Sequence, residues 1–182
     1  MMTIHNWKRD FRILLCGLLS AAGICLSGPV LSAEPRAGEP GTEAELTRFQ
    51  RFTNRASDLA LQAMSMIGIR YQRGGNVPES GLDCSGLVRY VFKEAWNKDL
   101  PRTSEELSKE GQQVDAKDLQ PGDLVFYNTL RRSFSHVGIY LGDNKFIHAP
   151  SPGGKVRIES MDVGYWRKRF NGARRINDPD QQ

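Results

Sequence analysis

The chain has 182 residues, 39% of them apolar, with 25 basic against 21 acidic side chains and a formal charge of +4. That length favours a single domain, and the composition excludes a collagen, a coiled coil, a repeat array and a membrane-embedded protein. The charge excess is too small to argue for nucleic acid. Three cysteines without a CxxC pair supply neither a disulfide framework nor a short-spaced zinc module.

The first segment reads as a targeting signal. Lys8, Arg9 and Arg12 precede an apolar run over residues 13–26, and small residues follow as far as Leu31, Ser32 and Ala33. This is the layout of a secretory signal peptide over residues 1–33, cut after Ala33. Gly17, Ser20 and Gly23 interrupt the run, which is short against the ~20 apolar residues of a bilayer span. A retained N-terminal anchor is the alternative. Ile24 before Cys25 and Leu15 before Cys16 are poor contexts for lipidation, so no lipid anchor is expected. Export would leave one cysteine, Cys84, and two histidines, His136 and His148.

Residues 34–44, rich in Pro, Gly and Glu, read as a flexible leader to a domain over 45–178. Thr42 and Glu45 fit a capping box. Leu46, Phe49, Phe52, Ala56, Leu59, Ala60, Ala63, Met64 and Ile67 then recur at helical spacing, with Gly68 as the stop. Residues 71–82 form a glycine-rich loop. Asp83 caps a second helix carrying Leu87, Val88, Val91, Phe92, Ala95 and Trp96. Thr103 and Glu106 cap a short third helix ending near Gly111. The pattern then switches to strands over 123–127, 136–141, 145–148, 156–159 and 173–176. Helices first and strands later predict an α+β domain with an antiparallel sheet of about five strands.

The chemistry concentrates on three residues. Cys84 falls in the first turn of the second helix, where free N–H groups and the helix dipole lower a thiol pKa and can hold an oxyanion. A lone cysteine is otherwise a small buried hydrophobe. Polar Asp83 and Ser85 and the glycine-rich loop before them favour an accessible sulfur. His136 begins one strand and His148 ends the next. One thiol and two imidazoles suit a nucleophile, a base and a group that orients the base. Zinc is the competing use of the same three residues, and their spacing lacks the short ligand pairs of structural zinc.

The histidine pair makes a geometric demand. A regular two-residue turn at Asp143 and Asn144 would place His136 and His148 on opposite faces of the sheet. A shared face requires an odd-length loop or a bulge around Gly142 to Lys145.

Four segments together resemble the NlpC-type cell-wall cysteine peptidases: Asp83-Cys84-Ser85-Gly86, Gly122-Asp123-Leu124-Val125, Ser135-His136-Val137-Gly138-Ile139-Tyr140 and Phe146-Ile147-His148-Ala149. The resemblance runs from about Ala60 to Ile176. It implies a papain-like α+β core and hydrolysis of peptide bonds in peptidoglycan, without a cofactor or metal. It also places the nucleophile on Cys84, the base on His136 and the polar third residue on His148. Tyr71 matches the family tyrosine near the thiolate, and Asp83 and Ser85 match positions lining the substrate groove. Leu100-Pro101-Arg102-Thr103 and the stretch Tyr165-Trp166-Arg167-Lys168-Arg169-Phe170 are similar to the short murein endopeptidases of Gram-negative envelopes. The implied partner is a peptidoglycan stem or cross-link, and the implied location is the periplasm. The D-Ala–diaminopimelate cross-link is favoured, and the γ-D-glutamyl–diaminopimelate bond stays open. An amidase or acyl transferase on the same fold, or a non-catalytic wall-binding module, are the alternatives.

Overall fold

The computed structural model describes residues 43–129 and 132–177. The expected signal segment, the leader up to residue 42 and the Thr42 cap lie outside the described residues.

Helix α1 (Glu43–Met64) opens the described chain. Ala56, Leu59, Ala60 and Ala63 form its buried stripe at spacings of three and four. Three members of the expected stripe are not in the core. Leu46, Met64 and Ile67 are exposed, and the side chains of Phe49 and Phe52 lie outside what the structure describes. The helix also stops before Gly68. The N–H groups of Met66 and Ile67 donate to carbonyls three residues back, which tightens the last turn. Gly68, at φ +89°, then turns the chain so that its N–H donates to Val156 O at 2.9 Å.

Strands β1 (Asn76–Val77) and β2 (Gly81–Leu82) make a small hairpin inside the segment expected to be loop alone. Helix α2 (Cys84–Trp96) follows with Asp83 as its N-cap, and buries Leu87, Val88, Val91, Phe92 and Trp96. It ends at Asn97 in the left-handed conformation (φ 50°). Helix α3 (Ser104–Leu107) carries the expected capping box of Thr103 and Glu106.

The remaining strands are β3 (Gln112–Val114), β4 (Leu124–Tyr127), β5 (His136–Gly142), β6 (Lys145–His148), β7 (Arg157–Ser160) and β8 (Phe170–Arg175). They form one antiparallel sheet in the order β3-β8-β4-β5-β6-β7. Six strands replace the expected five or so. The addition, β3, is an exposed Gln-Gln-Val edge with no apolar alternation to announce it. A short helix α4 (Gly164–Arg167) precedes β8.

Strand β4 shows how the sheet is covered. All four of its residues are buried. Leu124 and Phe126 join Val137, Ile139 and Ile147 in the core shared with α1 and α2. Val125 and Tyr127 face the other way, with Tyr140, Phe146, Trp166 and Ala173. Each large side chain so buried stabilises the fold by roughly 1.5–3 kcal/mol. An uninterrupted apolar strand is the signature of a sheet wrapped on both faces.

The β5–β6 connection meets the geometric demand. Asp143 and Asn144 both have positive φ and make a tight two-residue turn, with Gly142 opposite Lys145. The register then shifts between Tyr140 and Gly142, so that Tyr140 opposes Phe146 and Ile139 opposes Ile147. This bulge flips the parity and brings His136 and His148 to the same face.

Candidate active site

Cys84 is the first residue of α2 and is half-buried as a free thiol. Its helix start is clamped to the glycine-rich loop. A Cβ on Gly86 would lie 2.0 Å from Gly75 O, so only glycine allows this approach. The Asp83 carboxylate ties the same junction from the side. It accepts the N–H of Gly86 at 2.7 Å, the N–H of Gly74 at 2.9 Å and the Ser85 hydroxyl at 3.2 Å.

Arg102 completes this cluster. Its Nη2 donates to Asp83 Oδ2 at 2.6 Å, and its Nη1 donates to Ser85 Oγ at 2.7 Å and to Asp83 Oδ1 at 3.2 Å. The hydrogen bond to Asp83 holds the guanidinium pKa above its usual value. Asp83 and Ser85, placed along a substrate groove by the resemblance, therefore both spend polar contacts on Arg102. Arg102 was a motif position in the sequence with no assigned role. Nothing in its spacing announced a contact with residues so far back in the chain.

Backbone N–H groups of Val137, Ser85 and Cys84 itself are directed at the sulfur. The Val137 amide ties the thiol to the residue next to His136. These amides pull the thiol pKa down, as the helix terminus predicts. Burial and the Asp83 charge outweigh them and push it up. The expected lowering of the Cys84 pKa is thus reversed in the resting protein. Tyr71 stands near the same sulfur; burial, then the charges of Cys84 and Asp83, raise its phenol pKa.

His136 and His148 are both buried. His136 Nε2 lies 2.8 Å from His148 Nδ1, with the rings perpendicular. Burial, and next the neighbouring His148, lower the His136 pKa to about 3. Burial and then the Arg157 charge lower that of His148 to about 3. Both imidazoles are neutral at rest. Gly138 makes room for the pair: a Cβ there would lie 2.6 Å from the Phe146 ring, 2.8 Å from Ile147 O and 3.3 Å from His148 Cβ.

Two further residues frame the histidines. The Trp166 ring stacks on His136 at 5.6 Å and meets the edge of His148 at 4.9 Å. Its indole N–H donates to the Glu159 carboxylate, which also accepts from Arg157 Nε. Glu159 Oε1 is 3.7 Å from His148 Nε2. That nitrogen is buried and has no hydrogen-bond partner among the described residues. Trp166, named in the sequence within the Tyr165–Phe170 stretch, is buried; its place as a wall of the histidine pair appears only in three dimensions. Glu159 carried no signal beyond its place in a strand. Thr129, Pro150, Tyr165 and Trp166 line a cleft of about 420 Å³ on this side, with Glu159 in its wall.

A thiol at a helix start with backbone amides directed at it, and an amide of the residue next to a hydrogen-bonded imidazole pair among them, suits nucleophilic attack on an acyl carbon. Among the described residues no group of three or more His, Cys, Asp or Glu side chains is placed to hold a metal ion.

Residues 68–175 match the NlpC/P60 family. The murein DD-endopeptidase/murein LD-carboxypeptidase MepS of Escherichia coli is 34% identical over 170 residues, covering 90% of this chain and 89% of its own. The murein DD-endopeptidase MepH of Escherichia coli is 36% identical over 140 residues, which cover 75% of this chain and 51% of MepH. The γ-DL-glutamyl hydrolase of Bacillus subtilis is 41% identical over 118 residues, 64% of this chain and 28% of that one. The chain therefore spans about half of MepH and less of the hydrolase. Among solved structures, an NlpC/P60 protein from Bacillus cereus superposes with a TM-score of 0.62 at 33% identity, covering 66% of this chain and 39% of that one. The NlpC/p60 domain of the peptidoglycan hydrolase SagA gives 0.59 at 29% identity, covering 66% and 98%.

Proposed function

Because the chain belongs to the NlpC/P60 family, we propose that it is a murein endopeptidase that cuts peptide bonds of peptidoglycan with Cys84, His136 and His148. The observation that carries the roles is the 2.8 Å contact between His136 Nε2 and His148 Nδ1. It leaves Nδ1 of His136 as the nitrogen for the thiol. The D-Ala–diaminopimelate cross-link is the preferred bond, since MepS, aligned over about nine-tenths of both chains, bears the name murein DD-endopeptidase beside that of murein LD-carboxypeptidase. The enzyme works in the periplasm after loss of residues 1–33, as one domain over 45–178. No helix among the described residues is long and apolar enough to cross a membrane.

The reaction starts from a neutral pair, because burial disfavours both thiolate and imidazolium. Cys84 Sγ attacks the amide carbonyl as its proton passes to His136. The Cys84 N–H and the Tyr71 hydroxyl stabilise the oxyanion, a contribution of about 10²–10³ in rate per donor. His136 then gives the proton to the leaving amine, and the acyl group stays on sulfur as a thioester. Water, deprotonated by His136, hydrolyses it and restores the thiol. His148 holds the far nitrogen of His136 throughout. General acid–base help of this kind is worth about 10²–10⁴.

A digest of purified muropeptides followed by mass spectrometry tests this. The expected result is conversion of cross-linked dimers to monomers by the wild type and none by Cys84→Ala of unchanged circular dichroism. Full cleavage by that variant would reject the thiol mechanism. Product masses also separate hydrolysis from acyl transfer and one bond from the other.

A further inference from the structure

The proposed triad ends on an unpaired atom. His148 Nε2 is fully enclosed and lacks a hydrogen-bond partner among the described residues. A buried polar atom in that state is costly unless something faces it. Glu159 Oε1 faces it at 3.7 Å, beyond hydrogen-bond length and within ion-pair reach. The geometry points to Glu159 as a positioning residue that fixes the proton on His148 Nε2 and thereby sets the proton order of the whole Cys84–His136–His148 chain.

The register explains the placement. On β6 and β7, Phe146 opposes Glu159 and His148 opposes Arg157. Glu159 is thus the diagonal cross-strand neighbour of His148 on the same face. Its carboxylate is held by the Trp166 indole N–H and by Arg157 Nε. Those two donors fix it between His148 and the cleft.

The consequence runs atom by atom. A negative oxygen favours an N–H over a lone pair on the nitrogen that faces it. A proton on His148 Nε2 leaves His148 Nδ1 bare. His136 Nε2 must then be the donor across the 2.8 Å contact. That leaves the lone pair of His136 on Nδ1, where a base for the Cys84 thiol is needed. The opposite tautomer would put a proton on His136 Nδ1 and disable the base. Glu159 also acts on the charged state, since its charge favours a protonated His136.

The other groups packed around His148 do not supply this. His136 on β5 is neutral at rest. Arg157 on β7 opposes protonation of His148. Phe146 on β6 and Trp166 on α4 are uncharged rings, and the Tyr127 phenol on β4 packs on His136 instead. Glu159 is the acid in the set.

The inference rests on the proposed peptidase reading, so the test has one arm with activity and one without. In the arm without activity, ¹⁵N-histidine NMR on Cys84→Ala at neutral pH reads the tautomers. The expected spectrum has His148 and His136 each protonated on Nε2. Adding Glu159→Gln should convert a substantial share of His148 to the Nδ1–H form. In the activity arm, Glu159→Gln should lower kcat about tenfold at unchanged KM, and Glu159→Asp should recover part of that loss. Unchanged tautomers in Glu159→Gln, or a fall in melting temperature with kcat intact, would overturn the role. If Glu159→Gln does not fold, Glu159→Asp carries both readouts, with smaller shifts of the same sign; none would overturn the role. A wild type that cuts no muropeptide would defeat the peptidase reading, while the spectra would still decide for or against Glu159.

Discussion

His136 Nε2 and His148 Nδ1 stand 2.8 Å apart on neighbouring antiparallel strands. One of the two must donate, so the tautomer of one ring dictates that of the other. The pair sits on the face of the sheet away from α1 and α2, packed against Trp166. The Val137 amide, next to His136 on β5, is directed at the Cys84 sulfur. This coupling makes the site sensitive to changes that touch only one member.

The two histidines should differ in weight. His136→Ala removes the group that carries the proton and should abolish turnover. His148→Ala removes the group that orients it, and should lower kcat by about 10²–10⁴ while leaving a residue of activity. Steady-state kinetics on a defined cross-linked muropeptide checks the order. A more active His136→Ala than His148→Ala would exchange the roles.

The histidines also make stability depend on pH. Both folded pKa values are near 3, below the unfolded value of about 6.5. Between these limits the unfolded chain binds more protons, so stability rises with pH through this window and levels off above it. At pH 5 each histidine should have removed about 2 kcal/mol relative to pH 7 or above. Urea unfolding across pH 4.5–7 should show this slope, and His148→Gln should make it shallower. A flat profile in the wild type would contradict the buried, neutral state of the pair.

Gly138→Ala should damage the site without touching a reactive group. The new methyl meets the Phe146 ring and Ile147 O below 3 Å and presses on His148 Cβ. The backbone oxygen cannot swing aside. Overpacking of this kind costs about 1–3 kcal/mol. Thermal melting should show that loss, and kcat should fall further than the folded fraction explains.

Arg102→Ala should loosen the start of α2. It deletes three contacts to Asp83 and Ser85 and leaves the carboxylate with the two backbone amides and the Ser85 hydroxyl. Arg102 is about one-third exposed, so solvent screens part of the loss and the expected cost is about 1–2 kcal/mol. Arg102→Lys should recover only part, because an ammonium cannot reproduce the forked contact. Differential scanning calorimetry of the three proteins checks the order.

Much of this molecule was legible in the chain. Asp83 as a cap, the stripe Leu87-Val91-Phe92 and the Thr103–Glu106 box follow from rules that act within a few residues. Parity along β5 and β6 also required an odd-length loop or a bulge near Gly142 if the two histidines were to share a face, and the structure has the bulge. Other features were silent. Strand β3 is polar and pairs at the edge. The Asn76–Leu82 hairpin hides in glycine-rich sequence. The exposed Leu46, Met64 and Ile67 obey a helical period that the core does not use.

The sequence by itself determined that Cys84 opens a helix and which irregularity a shared face for His136 and His148 would need, since these follow from local caps and from strand periodicity; the bulge that supplies it is a feature of the fold. The tertiary structure alone decided which groups surround them. Arg102 reaches Asp83, Trp166 covers the imidazoles and Glu159 faces His148 through contacts between segments distant in sequence or on different strands. It also reversed the expected sign at the thiol. The local rule knew the helix amides but not the burial, and the loss of solvent, with the Asp83 charge, outweighs the N–H groups directed at the sulfur.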